Sequence, residues 1–269
     1  MRILVTGHEG FIGKNMVGYL TSKGHTVDGY EYRRNVYPPV EQYDWVVHLG
    51  AISSTTERDV NKVLEQNLEF SMNLLGLCDT TGVNFQYASS ASVYGPNRDF
   101  QESAPLYPQS PYAWSKFLFD RYVSQMTFDV LVQGFRYFNV YGPFEDHKGS
   151  QASPVHQFTQ QATYKGEIKV FENSRNYLRD FVCVEDVCTV HEKFFDVDQS
   201  GIWNVGTGNP VSFMDVASAI AVKHPSIITE IPMPDALKSQ YQTYTCADLS
   251  KLNDAVDMKW INILDWIKK

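Results

Sequence analysis

The sequence predicts an α/β fold: a doubly wound parallel sheet, one strand short, carrying a small discontinuous second lobe. Three observations lead there. Short apolar runs alternate with helix-length stretches along the 269 residues, the pattern of a parallel sheet with helices on both faces. A glycine-rich turn, Gly7-His8-Glu9-Gly10-Phe11-Ile12-Gly13, follows the first run directly. Only 13 residues, Tyr32 to Asp44, separate the second run from the third.

In chain order, strands are expected at Arg2–Thr6, Thr26–Glu31, Trp45–Gly50, Asn84–Ser89, Asp129–Phe135 and Ile202–Val205, and helices at Phe11–Ser22, Val60–Thr80, Tyr112–Met126 and Phe213–Val222. The runs are too short for helices and too apolar for loops. Prolines concentrate at 38–39, 105–111 and 225–234, where loops are expected. No repeat, low-complexity segment or interdomain linker interrupts the pattern. A nucleotide-binding part is expected from 1–137, 183–209 and 243–257, and the smaller lobe from 138–182, 210–242 and 258–269, with the active cleft between them.

With 43% hydrophobic and 14% aromatic residues, the chain can bury a substantial core. A net charge of −8, with no lysine or arginine run longer than a pair, argues against nucleic acid or an anionic membrane as partner. Cys78, Cys183, Cys188 and Cys246 are scattered, unlike a zinc site or a disulfide framework. The first residues lead straight into a strand, and no segment holds eighteen apolar residues, so a cytoplasmic protein is expected. Around His147, His156 and His191 no Cys, Asp or Glu lies at a matching helical spacing to complete a site, and no metal is expected.

Three glycines alone can simply punctuate a strand-to-helix connection. Here Gly7, Gly10 and Gly13 follow the opening strand and begin an amphipathic helix, so backbone N–H groups and the helix dipole would face a pyrophosphate, the mark of dinucleotide binding. Glu31 stands 24 residues past Gly7, where a carboxylate can bond the adenosine ribose and favour NAD. Arg33 and Arg34 follow at once; they could hold the 2′-phosphate of NADP, or merely lie on a solvated loop, so NAD and NADP both stand. A parallel crossover needs at least ~10–12 residues, so the 13 after the second strand cannot hold another strand and two crossovers. The second strand should be a sheet edge and the adenine pocket should lack one wall. Modest cofactor affinity follows, and a dissociation constant in the low nanomolar range would count against it.

Tyr112 and Lys116 are four residues apart on an expected helix, and such positions share a face. An ammonium beneath the phenol favours its charged form; a free phenol ionises near ~10, so Lys116 is expected to make Tyr112 a better base. Ser90, closing an upstream strand, would donate to a substrate oxygen. Alone, such a Tyr–Lys pair usually marks a solvated helix face; with the glycine turn and the Ser-Ser pair upstream it points to a nicotinamide-dependent enzyme acting on an alcohol carbon.

Ala88-Ser-Ser-Ala-Ser-Val-Tyr-Gly95 and Tyr112-Ala-Trp-Ser-Lys116 are the stretches on which the chain resembles the extended short-chain dehydrogenase/reductases, the NAD-dependent epimerase/dehydratase family with a Rossmann domain, over essentially its whole length apart from the missing strand. Ser-Ala rather than Asp-Glu in the first stretch resembles epimerases more than 4,6-dehydratases. Phe135-Arg-Tyr-Phe-Asn-Val-Tyr-Gly-Pro143, then Glu145-Asp-His-Lys148-Gly-Ser150, Ser53-Ser-Thr-Thr-Glu57, Phe171-Glu-Asn-Ser174, Arg179-Asp-Phe181 and Leu237-Lys-Ser-Gln-Tyr241 look like the ADP-glycero-manno-heptose 6-epimerase branch.

The resemblance implies cofactor contacts from Gly7, Gly10, Phe11, Ile12, Gly13, Glu31, Arg33, Leu49, Gly50, Ala51, Ser53, Asn67, Tyr112, Lys116 and Val140. It implies a catalytic set of Ser90, Tyr112, Lys116 and Lys148, with Lys148 a second acid/base across the substrate from Tyr112; as a plain surface lysine, Lys148 would only neutralise phosphate. Ser90, Asn139, Ser150, Gln157, Phe171, Glu172, Ser174, Arg179 and Tyr241 would line the nucleotide-sugar site. Three departures bear on the sugar: Phe144 replaces the usual arginine after Tyr-Gly-Pro, Pro154 interrupts the stretch after Ser150, and Gln157 stands where a substrate-contacting histidine is expected, beside His156. A sugar-nucleotide epimerase is thus the leading expectation, with a UDP-hexose 4-epimerase or a ketosugar-nucleotide reductase behind it and a non-catalytic dinucleotide sensor as the reading from another class. A homo-oligomer is expected, through the helices at Val60–Thr80 and Tyr112–Met126.

Overall fold

A computed structural model describes residues 1–54, 56–235 and 241–269. The chain runs β1 (Arg2–Thr6), α1 (Phe11–Ser22), β2 (Thr26–Tyr30), β3 (Trp45–His48), α2 (Val60–Leu64), α3 (Phe70–Thr81), β4 (Asn84–Ser90), α4 (Pro111–Gln125) and β5 (Val132–Tyr137). There follow β6 (Asn139–Tyr141), α5 (Pro154–Lys165), β7 (Glu167–Phe171), β8 (Leu178–Arg179), β9 (Phe181–Cys183), α6 (Val184–Phe194), β10 (Gly201–Val205), β11 (Val211–Ser212), α7 (Phe213–Lys223) and β12 (Ile227–Ile231). Short helices at Ser250–Ala255 and Ile263–Lys268 close the chain.

The main sheet has six strands in the order β10-β5-β4-β3-β1-β2, and all its pairings are parallel. No strand forms between β2 and β3, and β2 is the edge, as the 13-residue spacing requires. Every residue of β3 and β5 is buried, because helices cover both faces. Val46, Val47, Leu74 and Leu75 are fully inaccessible, and removing each from water contributes roughly 1.5–3 kcal/mol. Truncating Leu74 to Ala would cost about 2–5 kcal/mol through the cavity left behind.

The expected Val60–Thr80 helix is continuous but not regular. Its turn at Glu65–Glu69 is π-helical, a widened turn that carries Asn67 into the interior. Helix α4 begins where Ser110 accepts from the Ala113 N–H at 3.2 Å, with Pro111 at its first turn, where a missing N–H costs nothing. Its buried face carries Ala113, Lys116, Phe119, Asp120 and Val123, so two ionisable groups share the apolar stripe.

A second core joins Tyr141, Phe158, Val170, Phe181, Met214, Ile220, Ile263 and Ile267, built from α5, α7, the C-terminal helix and the small strand pairs β6·β9, β7·β12 and β8·β11. Pro154 does not interrupt here but starts α5, with Ser153 accepting from the His156 N–H at 3.2 Å. The Glu145 carboxylate, 1% exposed, ties the preceding loop to this helix by accepting from Ser153 N–H at 2.6 Å and Ser153 O–H at 2.7 Å.

Candidate active site

The glycine turn is closed too tightly for side chains. A Cβ on Gly13 would fall 2.0 Å from the Gly7 carbonyl oxygen, and one on Gly7, at φ +69°, would fall 2.6 Å from the Gly50 backbone. Gly10 caps α1 without a side-chain bond, and the first turn holds no acid, so its N–H groups stay free for an anion. Over this helix end Gly7, Gly10, Phe11, Ile12, Gly13, Glu31, Leu49, Gly50, Ala51 and Ser53 line one cavity of 430 Å³. This cradle, with its unclaimed N–H groups and no room for a Cβ, fits a dinucleotide pyrophosphate.

Glu31 lies just past β2, and its Oε1 accepts from the Glu9 N–H at 2.8 Å. Arg34 is held by Glu65 at 2.8 Å, while Arg33 is exposed and has no ion pair among the described residues. Val140 packs with Ile12 and Leu49 around the apolar cluster below the cavity. Asn67 does not reach that cavity: its Oδ1 accepts from Ile52 N–H at 2.8 Å, and its Nδ2 donates to the Ile52 carbonyl at 3.0 Å and the Ser115 hydroxyl at 3.1 Å. It shapes the loop after β3.

At the end of β4, the Ser90 hydroxyl lies near enough to the Tyr112 phenol to favour its charged form, and it accepts from the Ser92 N–H at 3.2 Å. The expectation for Lys116 needs correction. Its Nζ donates to the Ala88 carbonyl at 2.8 Å, and burial brings it down to about 8. With protein groups alone, burial holds Tyr112 above its ordinary value, opposed by the Ser90 hydroxyl and helped by Asp120; Lys116 is not among the groups that lower it. Desolvation outweighs a lysine whose ammonium is spent on a backbone carbonyl.

Lys148 sits in the turn Asp146–Gln151 and borders the same cavity, its Nζ 5.1 Å above the Phe11 ring. Burial pushes it down, with Glu145 opposing, and no carboxylate pairs with it among the described residues. A separate cavity of 320 Å³ in the lobe is lined by Gln157, Phe171, Ser174 and Tyr241, together with Gln161, Tyr177 and Phe213. The Ser174 hydroxyl there is buried and without a partner. Arg179 lies 5.3 Å from both the Phe213 and Tyr241 rings and donates to the carbonyls of Leu178 and Gln242. Burial lowers it, and among the described residues no carboxylate neutralises it: a cation awaiting an anion.

Asn139 donates to the Asp180 carbonyl at 3.2 Å and the Thr245 hydroxyl at 3.3 Å and lines neither cavity. Ser150 and Glu172 are exposed and are likewise not brought to either. Residues 237–240 and Thr55, parts of two motifs, lie outside the described residues.

Residues 3–206 match the profile of the NAD-dependent epimerase/dehydratase family. The chain belongs to this family. Its fold is similar to that of the ADP-L-glycero-D-manno-heptose 6-epimerase of Helicobacter pylori, at 26% identity and a TM-score of 0.87 over 99% of this chain and 94% of that one. It is also similar to the UDP-glucose 4-epimerase of Thermus thermophilus in complex with NAD, at 28% identity and a TM-score of 0.78 over 94% and 92%. The UDP-N-acetylglucosamine 4-epimerase of Methanobrevibacter ruminantium shares the fold, at 20% identity and a TM-score of 0.87 over 99% and 96%.

The glycine cradle lies beyond the carboxyl ends of β1 and β3, where open α/β sheets bind ligands. A larger cavity, 820 Å³, opens beside Val132 and Gly201, at the starting ends of β5 and β10, and is not that site. His191 and His48 are buried neutral groups, pushed down to about 3 by desolvation, and among the described residues no group of His, Cys, Asp and Glu could hold a metal. No helix among them is long and apolar enough to cross a membrane. Tyr177, Phe213 and Gln161 escaped the sequence because only the fold brings them together; His8 escaped inside a motif read for its glycines.

Proposed function

We propose that this protein is a sugar-nucleotide epimerase that oxidises and re-reduces one alcohol carbon of a bound nucleotide sugar, with carbon 6 of an ADP-glycero-manno-heptose as its leading substrate. What carries this reading is the Ser90 hydroxyl at the end of β4 acting on the Tyr112 phenol, together with a dinucleotide cradle whose rim holds the unpaired Lys148. Bound in the cradle, the nicotinamide would accept and return a hydride.

The chain's own groups handle protons. Ser90 orients the substrate hydroxyl and Tyr112 removes its proton, while Lys116, bonded to the Ala88 carbonyl, holds the helix of Tyr112 against β4. The resulting ketone turns to offer its other face to the returning hydride, and Lys148, opposite Tyr112, gives the proton to its oxygen. The lobe cavity takes the nucleotide, with Tyr241 covering a ring and Arg179 meeting the diphosphate. A second acid/base at Lys148, across the substrate from Tyr112, favours the heptose reading.

Exposed Leu77 on α3 and Trp114 and Leu118 on α4, at 38%, 48% and 37%, support a homo-oligomer through these helices. A reaction on nucleotide sugars and dinucleotides supports a cytoplasmic location.

Incubation with ADP-D-glycero-D-manno-heptose, followed by NMR with absorbance read at the reduced-nicotinamide band, tests the proposal. Formation of the L-glycero epimer without net cofactor change is expected. No conversion with cofactor bound would exclude the heptose and send the search to UDP- and GDP-hexoses; stoichiometric oxidation of reduced cofactor would mark a reductase. A Lys148→Met enzyme at near-full rate would remove Lys148 from its role.

A further inference from the structure

His8 stands between the first two glycines of the turn, and its imidazole rests on Gly29 of β2. A Cβ built on Gly29 would fall 2.2, 2.3 and 2.7 Å from Cδ2, Cγ and Nε2 of the ring. The histidine and the glycine therefore require one another: the ring occupies the niche that only a missing side chain leaves. Its other nitrogen, Nδ1, comes within 3.2 Å of Glu31 Oε1. That approach is close but not aligned as a hydrogen bond, and the buried Nδ1 has no other partner.

Glu31 Oε1 is thus held by the Glu9 N–H at 2.8 Å and approached by His8 Nδ1 at 3.2 Å, while Oε2 has no protein partner among the described residues. The same carboxylate borders the dinucleotide cavity, at the edge where the sheet ends with β2. The basic groups that follow do not converge on it. Arg34 is turned to Glu65, which also accepts from the Tyr32 phenol at 2.9 Å.

We propose that His8 is the positioning residue that sets the dinucleotide preference of this chain. Seated in the Gly29 niche, it fixes Glu31 so that Oε2 faces the adenosine ribose as an acceptor. The diol of NAD can donate to it; the 2′-phosphate of NADP brings a second anion against the carboxylate and is disfavoured. This rests on the family's dinucleotide cofactor and not on the identity of the sugar, so a binding measurement separates it from the epimerase reading.

The test is calorimetric titration of NAD and of NADP, separately, into the wild-type protein and into His8→Ala, Glu31→Ala, Gly29→Ala and His8→Ala/Gly29→Ala. The wild type is expected to bind NAD at least tenfold more tightly than NADP. His8→Ala and Glu31→Ala should each bring that ratio close to one, chiefly by weakening NAD. Gly29→Ala should weaken NAD several-fold in the wild type and add little once His8 is gone, and His8→Asn, whose amide stands where Nδ1 does, should recover part of the ratio. A purely structural His8 would lower thermal stability and both affinities alike. A wild type that prefers NADP, or a His8→Ala protein with the wild-type ratio, would overturn the proposal. Should His8→Ala not fold, an unchanged ratio in Gly29→Ala would overturn it equally.

Discussion

The ammonium of Lys116 donates to the carbonyl oxygen of Ala88 at 2.8 Å, which ties α4 to β4 two residues before Ser90. The lysine is 6% exposed and so carries a charge at a desolvation cost, brought down to about 8. Below pH 8 it is protonated in folded and unfolded chains alike, and the folded state bears that cost. Between about 8 and 10.5 the unfolded chain holds the proton longer, so this group's contribution to stability rises with pH. Lys116→Met should therefore be more stable than the wild type at pH 7, by on the order of 2 kcal/mol after loss of the Ala88 hydrogen bond, and the difference should shrink toward pH 10. Denaturant melts at the two pH values measure it; a difference that grows with pH would refute the argument.

Tyr112→Phe removes the phenol while leaving the cradle untouched. Epimerisation should fall roughly a hundred- to ten-thousand-fold, with NAD affinity within a factor of about three. Single-turnover assays beside an NAD titration distinguish this from general damage, which would lower both.

Gly13→Ala sets a methyl group 2.0 Å from the Gly7 carbonyl oxygen. The turn must open, and dinucleotide binding should drop at least a hundredfold while Gly18→Ala, where nothing lies within 4 Å, leaves it unchanged. Fluorescence titration of both variants gives the comparison.

Asp120 and Arg136 form a buried ion pair at 2.9 Å, with side chains 2% and 4% exposed, and Asp120 also accepts from the Tyr87 phenol at 3.1 Å. Asp120→Ala leaves a guanidinium buried without its partner and should cost about 3–5 kcal/mol. It also removes the charge that raises Lys116, so the lysine should titrate still lower, visible in NMR of labelled lysine. Melting temperature near that of the wild type would show that solvent reaches Arg136.

Legibility in the sequence followed the length of the elements. The six main strands and the helices at Phe11, Val60, Pro111 and Phe213 carry enough periodicity to be read, and the missing strand followed from chain length alone. The lobe did not, because β8 and β11 are two residues long and a period cannot be established on two residues. Helix α5 was hidden by its polar composition and by Pro154, a breaker elsewhere but a starter after Ser153. In the site, the glycines, Glu31, Ser90 and Tyr112 were legible as motif; the direction of Lys116 was not, since it depends on a carbonyl 28 residues away. Asn67 was expected at the cofactor because its position, not its hydrogen bonding, was visible.

The sheet that stops at β2 also has a kinetic side. An epimerase that lets its ketone escape halfway is left holding reduced cofactor and cannot start another cycle. Where a deep, fully walled pocket would trap that spent cofactor, an adenosine end closed by a turn and two side chains offers it a way out and a fresh oxidised molecule a way in. The economy of 13 residues would then set how quickly a stalled enzyme returns to service, and would tie the active fraction to the ratio of oxidised to reduced dinucleotide around it.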